Sequence, residues 1–586
     1  MRQLFKRKNL KKIGLALLLS MPVFLFCLDL LLTGNKVGPG DADYIIQTQE
    51  AMRRTILEFH QFPWWNPWIS GGVPLFANPQ FGLISLQTPF VLLFGSVLGY
   101  KIAIVGYFLI GFWGFRKLFI QAFKTPVLTA TLLAYIWTFG TFLTQRTSGH
   151  LTFLVIQLFP WALLYYLQRN TIKHAWLKFS LITSLMALSA AHNTTIMSYF
   201  VLTLMVILSL GRVIMQKKDD YLTLQLRILR SDVTFWIKAG GLFVALTGYR
   251  LFFTMQYLKD FPRAEVLDME PTMGPINAFL AMFGPLIQFS KSPTIPNWSW
   301  LEASAYISIF TFFAAMLVLF VLMKERKNTN KLFSYSPYVL GLLFALFFLL
   351  SLGDFLGVFS PYSLLRMLPV FSAMRVAVRW IAWCSMIVLL FIAIYQGKKY
   401  RRIINVLLLV ACVELFIYSR PNLAKAYFMD INHVRPISAE FQQKRLFDAM
   451  RYGVPYDENF TGATMNNYGQ IVAGDALVDT RFPAPWGDGP TARCSVDEGC
   501  RLVLSDNAEI TYWSPNKIII KRTAPGTIQL NINPGKGWAI NNQYLFRGGK
   551  VVEPGNTFEI TNPSSDIILD YRPRLSIDWA LKKAGL

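Results

Sequence analysis

Two carboxylates stand just beyond the first apolar run of the chain, Asp41 and Asp43 in the string Gly38-Pro39-Gly40-Asp41-Ala42-Asp43-Tyr44. Two residues apart in an irregular loop, they can place at least one group over the mouth of a cavity. There a carboxylate can act as a general base toward a hydroxyl acceptor, or hold a cation. The competing reading is a pair of solvated boundary residues, or a cap for the helix that follows. A second constellation lies within Ser360–Arg379. Arg375 and Arg379 are four apart, the spacing of one helix face, and two guanidiniums there can clamp a phosphate or pyrophosphate by bidentate hydrogen bonds. Arginines reaching toward lipid headgroups are the competing reading. Arg146 and His150 stand at another expected outer helix end, as do His192, Asn193 and Lys101. Glu414 and Arg250 fall near or within apolar runs and are expected to make structural polar contacts.

The carboxylates open a loop, about 35–88, too long and too particular to be only a connector. Ile45, Met52, Ile56 and Phe59 fall at helical spacing with Gln49, Glu50, Arg53 and Arg54 beside them. That pattern predicts an amphipathic helix lying on the outer leaflet. Phe62–Gly82 follows, with four Pro, three Trp and three Gly in 21 residues, and cannot form one regular element. Such a segment can wrap a cavity at the interface, its Trp rings at headgroup depth. Trp64, Trp65, Asn66 and Asn78 are its candidate cavity residues.

What must position these groups is set by composition. Of 586 residues, 54% are apolar and only 15% charged, against roughly 25% charged in soluble domains. Mean hydropathy is +0.39. A compact cytosolic enzyme, a collagen and a disordered chain are excluded. The net charge of +24 gathers in short clusters between apolar runs. Six Lys/Arg in the first 12 residues precede the run Ile13–Leu32, long enough to cross a bilayer. It is read as a retained first helix rather than a cleaved signal peptide, because no small-x-small site stands out before Gly34. Further spans are expected at about 98–120, 126–144, 151–168, 176–191, 195–211, 236–256, 303–323, 337–352, 381–397 and 403–419, making about eleven. Clusters at Arg116/Lys117/Lys124, Arg169/Lys173/Lys178, Arg212 to Arg230, Lys324/Arg326/Lys327/Lys331 and Lys398/Lys399/Arg401/Arg402 then fall on one side, with the N-terminus, as the positive-inside rule requires. The charge is topogenic, and no nucleic-acid partner is expected.

Residues 421–586 change character. Short β-branched runs at Asn516–Lys521, Thr527–Ile532 and Asp566–Leu569 are separated by Pro-Gly turns, the pattern of a β-sandwich or barrel. Cys27, Cys384 and Cys412 fall in expected spans and read as inert. Cys494 and Cys500 share a short polar segment, where a disulfide suits an oxidising compartment; a zinc pair lacks a second His/Cys pair nearby. The domain expectation is therefore a polytopic α-helical membrane part, 1–420, carrying loop 35–88, and a C-terminal extracytoplasmic β-rich domain, 421–586.

Several strings resemble a known family. Gly40-Asp41, Phe62-Pro63-Trp64-Trp65-Asn66-Pro67, Gly71-Gly72-Val73-Pro74 and Ala77-Asn78-Pro79-Gln80 look like the first external loop of the YfhO-like bacterial membrane proteins of the GT-C glycosyltransferase superfamily. Leu368-Pro369, Met374-Arg375-Val376 and Arg379 resemble their later LRVPSR signature, with Ala377-Val378 in place of Pro-Ser. Asn516-Lys517-Ile518 and Asn533-Pro534-Gly535-Lys536-Gly537-Trp538 are similar to their C-terminal β-domain, the usual Pro-Gly-Trp being interrupted by Lys536-Gly537.

The resemblance implies a GT-C-like fold in the bacterial inner membrane, N-terminus cytoplasmic, and an enzyme that uses a polyprenyl-phosphate-linked sugar on the outer side. The acceptor would be an envelope polymer, a lipid or a protein. It also implies that an acid of the first external loop is the base: Asp41 matches best, with Asp43 close enough to share the role. Arg375 and Arg379, with Arg146 and His150, would hold the donor phosphate. No metal is expected as a requirement, and Mg or Mn stays open. Two rivals stand beside this reading, a lipid-linked-sugar flippase and a non-catalytic envelope assembly protein. Neither needs a carboxylate in that loop.

Overall fold

The structure is a computed structural model, describing residues 7–38, 41–69, 71–147, 151–189, 192–215, 222–260, 273–284, 303–324, 337–368, 371–372, 374, 376–431, 441–444, 460–470, 494–495, 499–500, 502–503, 505–532, 537–544, 558–561, 563 and 566–573. The chain is mostly helical, with a strand-containing C-terminal region. Each of the eleven expected apolar segments lies on helix over most of its length. Among the described residues, five helices are long and apolar enough to cross a membrane: Leu10–Leu32, Ser96–Gln121, Val127–Arg146, Ala377–Tyr395 and Arg401–Lys425. Thr152–Leu167, Ala175–Leu188, Ile309–Lys324 and Pro337–Ser351 are apolar but shorter.

Contacts divide the chain into two units. The first gathers Met1–Thr33, Lys101–Thr247 and Val266–Ala426; the second gathers Gly34–Tyr100, Gly248–Glu265 and Tyr427–Leu586. The sequence boundary at 420/421 kept loop 35–88 with the membrane part. In the structure that loop folds with the C-terminal segment instead, because its aromatic side chains are part of the same hydrophobic core.

In the first unit, helix packing is tied by a few polar contacts. Arg420 grips Asp29 through two bonds of 2.6 and 2.8 Å, joining the last apolar helix to the first. Arg169 grips Asp232 similarly, at 2.5 and 2.9 Å. Residues 304–308, expected to open a span, are not helical; the helix begins at Ile309. Tertiary bonds hold that stretch out of the helix. The amides of Ala305 and Ile307 donate to the carbonyls of Ala281 and Met282, and Thr141 donates to that of Tyr306.

The second unit is built on a five-stranded antiparallel sheet, in the spatial order Gln543–Tyr544, Trp538–Ile540, Ile567–Tyr571, Lys517–Arg522, Ala508–Ser514. Ile518 and Ile520 point inward with Ile567 and Leu569, as strand alternation requires. Ile528–Leu530 pairs with Phe558–Ile560, and Ile528, Leu530 and Ile560 complete the same core. Trp64, Trp65 and Phe76 enter it from the loop. Trp65 packs 5.3 Å from Trp538 and 4.5 Å from Tyr571, between ring centroids. Gly72 lies against the Trp65 ring with φ +95°, where a Cβ would come within 2.6 Å of the indole. Only glycine fits there.

Cys494 and Cys500 face each other in register across the antiparallel pair Cys494–Ser495 and Gly499–Cys500. Opposed residues in such a pair have Cα atoms about 4.5–5.5 Å apart, within the span a disulfide bridges. We expect peptide mapping of protein from its native compartment, without reductant, to find Cys494 linked to Cys500. Two freely alkylated thiols would contradict this.

Candidate functional site

Asp41 and Asp43 open the helix Asp41–Leu57, in the second unit, and their environments separate them at once. Asp41 is exposed, while Asp43 is buried. The Asp43 carboxylate accepts the amide of Phe460 at 2.6 Å, the amide of Thr461 at 3.0 Å and the Thr461 hydroxyl at 2.6 Å. It caps the short helix Phe460–Met465. Orphan amides at a helix start are satisfied by such a side-chain acceptor, normally from the adjacent residue; here it comes from a helix far away in sequence.

The contact continues along one face. Gln47, one turn on, donates to Thr464 Oγ1 at 2.9 Å. Arg54, two turns further, donates to the Thr464 carbonyl at 2.6 Å and to Asn467 Oδ1 at 3.3 Å, with Trp68 Nε1 donating to that same oxygen at 2.9 Å. These polar residues explain why the helix does not lie on a leaflet as expected. Gln47, Gln49 and Glu50 are buried, and the partners of Gln47 and Glu50 are protein groups. On the remaining side Arg53 bonds Glu50 at 2.7 and 2.9 Å, which holds the guanidinium pKa above its ordinary value.

The loop residues are buried in the same unit. Asn66 donates to Gln47 Oε1 at 3.2 Å and accepts the Trp68 amide. Asn78 donates to the Tyr44 hydroxyl at 3.0 Å, on the same helical turn as Asp41. Arg250 fills one of the structural roles expected of it, donating to the carbonyls of Asn78 and Phe81.

In the first unit, Arg146 and Arg379 converge although they are remote in sequence. Arg146 ends the helix Thr141–Arg146 and is buried; Arg379 lies in the 3-10 turn Ala377–Trp380. Their guanidinium carbons stand 5.1 and 4.8 Å from the centroid of one ring, Phe153. Guanidiniums favour aromatic faces for their quadrupole, and the shared ring gathers two positive charges. Nothing in the sequence marked Phe153 as the meeting point. The four-residue spacing of Arg375 and Arg379 does not run along a helix, because Val376 is extended (φ −120°, ψ 94°) and helical geometry starts at Ala377. Arg375 and His150 themselves lie outside the described residues, and so does the side chain of His192. Lys101 donates to Thr33 Oγ1 at 2.6 Å. Glu414 accepts the hydroxyls of Tyr306 and Ser308, a structural contact of the kind its position led us to expect. Among the described residues, no group of three or more His, Cys, Asp or Glu side chains is placed to hold a metal ion.

No family model matches the chain, and no curated protein matches it. Among solved structures it is similar to the cryo-EM structure of arabinofuranosyltransferase AftD from Mycobacteria, at 12% identity and a TM-score of 0.43. That overlap covers 69% of this chain and 27% of the other. A likeness at this level fixes neither helix arrangement nor activity.

The two acids should separate in stability. Asp43→Ala leaves two helix-end amides and a buried hydroxyl without their acceptor and should cost about 2 kcal/mol, seen as a lowered unfolding midpoint by tryptophan fluorescence. Asp41→Ala, at an exposed position, should stay within about 0.5 kcal/mol of the parent. Equal midpoints for both variants would contradict the assignment.

Proposed function

We propose that this chain is a membrane glycosyltransferase that moves a sugar from a polyprenyl-phosphate-linked donor to an extracytoplasmic acceptor. The observation that carries the reading is the convergence of Arg146 and Arg379 on Phe153, a paired cation suited to a phosphate leaving group. The first-loop resemblance and the exposed carboxylate of Asp41 support it.

In the proposed reaction an acceptor hydroxyl attacks the anomeric carbon. Asp41 takes the hydroxyl proton, the new glycosidic C–O bond forms, and the bond from the anomeric carbon to the phosphate oxygen breaks. The electron pair leaves with the lipid phosphate, whose charge needs cationic groups; Arg146 and Arg379 are proposed for that role from their own setting on Phe153, as Asp41 is proposed for the base from the first-loop resemblance. Arg375 and His150 are proposed as further phosphate ligands. Asp43 is set aside as the base because its oxygens already accept three donors. No metal is needed for these steps, and added Mg or Mn is a variable of the assay.

The accompanying topology puts the N-terminus in the cytoplasm and residues after Arg420 outside, in the bacterial inner membrane. Reporter enzymes active on one side only, fused after Arg420, should report the outer side; a cytoplasmic signal there would contradict the proposal.

Purified variants test the chemistry. Asp41→Asn keeps size and polarity but removes the base and should lower transfer about 10²–10⁴-fold, with donor binding little changed. Arg379→Ala or Arg146→Ala should weaken donor binding by about one to two decades, the worth of a charge-assisted contact. Full transfer by Asp41→Asn would remove the mechanism. Intact lipid-sugar movement by that same variant would then favour the flippase.

A further inference from the structure

Four side chains of the first unit form an unbroken line of contacts. Lys117 Nζ stands 4.7 Å from the centre of the Trp161 ring. Trp161 lies 6.1 Å from Tyr165 between centroids, and Lys178 Nζ stands 5.8 Å from the Tyr165 ring. Three helices supply these residues near their ends. Lys117 lies one turn before the end of Ser96–Gln121, Tyr165 in the last turn of Phe159–Leu167 and Lys178 in the first turn of Ala175–Leu188. The Trp161 ring is seated by one helix face. Its Nε1 donates to the Ile110 carbonyl at 2.9 Å. Gly114, one turn on, leaves the ring its room, since a Cβ there would come within 2.7 Å of Nε1. Lys117 follows on the same face.

Among the described residues no carboxylate pairs with Lys117 or Lys178. Asp232 is already held by Arg169, two residues past Leu167, at 2.5 and 2.9 Å. Lys178 also stands at a helix start, where the backbone dipole favours an anion and disfavours a cation. Both rings are half-buried, so part of each faces whatever surrounds the helices. Trp and Tyr near the ends of apolar helices, with lysine stems laid along them, are the pattern of a bilayer interface. A half-exposed ring is a weak partner for an ammonium, and the anion met at that depth is a lipid phosphate.

We propose that Lys117, Trp161, Tyr165 and Lys178 form a seat for an anionic diacyl phospholipid, its phosphodiester near the two lysines and its chains against the rings. Charge complementarity selects phosphatidylglycerol over phosphatidylcholine: two cations without acids suit a headgroup of net negative charge, whereas choline brings its own cation. The seat shares no residue with the donor contacts proposed at Arg146 and Arg379.

The test uses the full-length protein in phosphatidylcholine vesicles that hold a fixed fraction of chain-brominated phosphatidylglycerol or, separately, of chain-brominated phosphatidylcholine. Bromine quenches nearby indoles, and subtracting the emission of Trp161→Phe leaves that of Trp161 alone, so lipid held elsewhere does not enter. Trp161 of the parent should prefer phosphatidylglycerol. Lys117→Gln and Lys178→Gln should each lower that preference about fivefold. Lys173→Gln removes an exposed charge from the connection between the same two helices but outside the line of contacts, and should leave the preference largely intact. Arg379→Ala should leave it unchanged. If Trp161→Phe fails to fold, the drop in total quenching in Lys117→Gln against that in Lys173→Gln makes the same comparison. The seat is refuted if the parent shows no preference or if both lysine variants match the parent. It is also refuted if Lys173→Gln lowers the preference as much as Lys117→Gln, which is diffuse surface attraction, or if only Arg379→Ala loses it. Sugar transfer is not read in any of these measurements, so the proposed reaction stands or falls separately.

Discussion

The second unit depends on one buried carboxylate. Asp43 closes the start of the Phe460–Met465 helix through three hydrogen bonds. Gln47 and Arg54 extend the contact along the same face of the Asp41–Leu57 helix. A desolvated carboxylate is tolerable only when donors replace its water. Helix amides and a hydroxyl do so here, and in turn the amides gain the acceptor that every helix start lacks. With that face fixed, Asn66 and Trp68 are drawn in by Gln47 and Asn467, and Trp65 is seated between Trp538 and Tyr571.

This arrangement divides labour between two acids that a D-x-D spacing cannot tell apart. Asp43 is committed to structure, and Asp41 on the exposed first turn is the acid we propose for chemistry. The same logic of charge and burial governs the cations. Arg54 is held by a backbone carbonyl, Asn467 and Glu58 and Arg250 by two carbonyls, while Arg146 and Arg379 share one aromatic ring, a setting that concentrates positive potential.

The sequence made the helices legible because long apolar runs have a period and a length of their own. The strands at Lys517–Arg522 and Ile567–Tyr571 were equally legible from β-branched runs between Pro-Gly turns. Partners distant in the chain were not. Gln47, Arg54 and Asn467 carry no local signature, so the Asp41–Leu57 helix looked like one with a wet face. Residues 304–308 look like the start of a span, since apolar composition does not reveal the tertiary hydrogen bonds that keep Tyr306 out of a helix. At the site, the acids and Arg379 stood out by type, but only the fold shows which acid is consumed and which ring two arginines share.

The central claim, that this chain adds a sugar outside the membrane through Asp41, is tested most directly on cells. Surface glycopolymers and lipid-linked sugars should be weighed by mass spectrometry from cells carrying the parent protein, no copy, or the Asp41→Asn form. The account predicts one sugar mass missing from the surface in the latter two, with its lipid-linked donor accumulating. Surface polymers of identical mass in all three strains would contradict it.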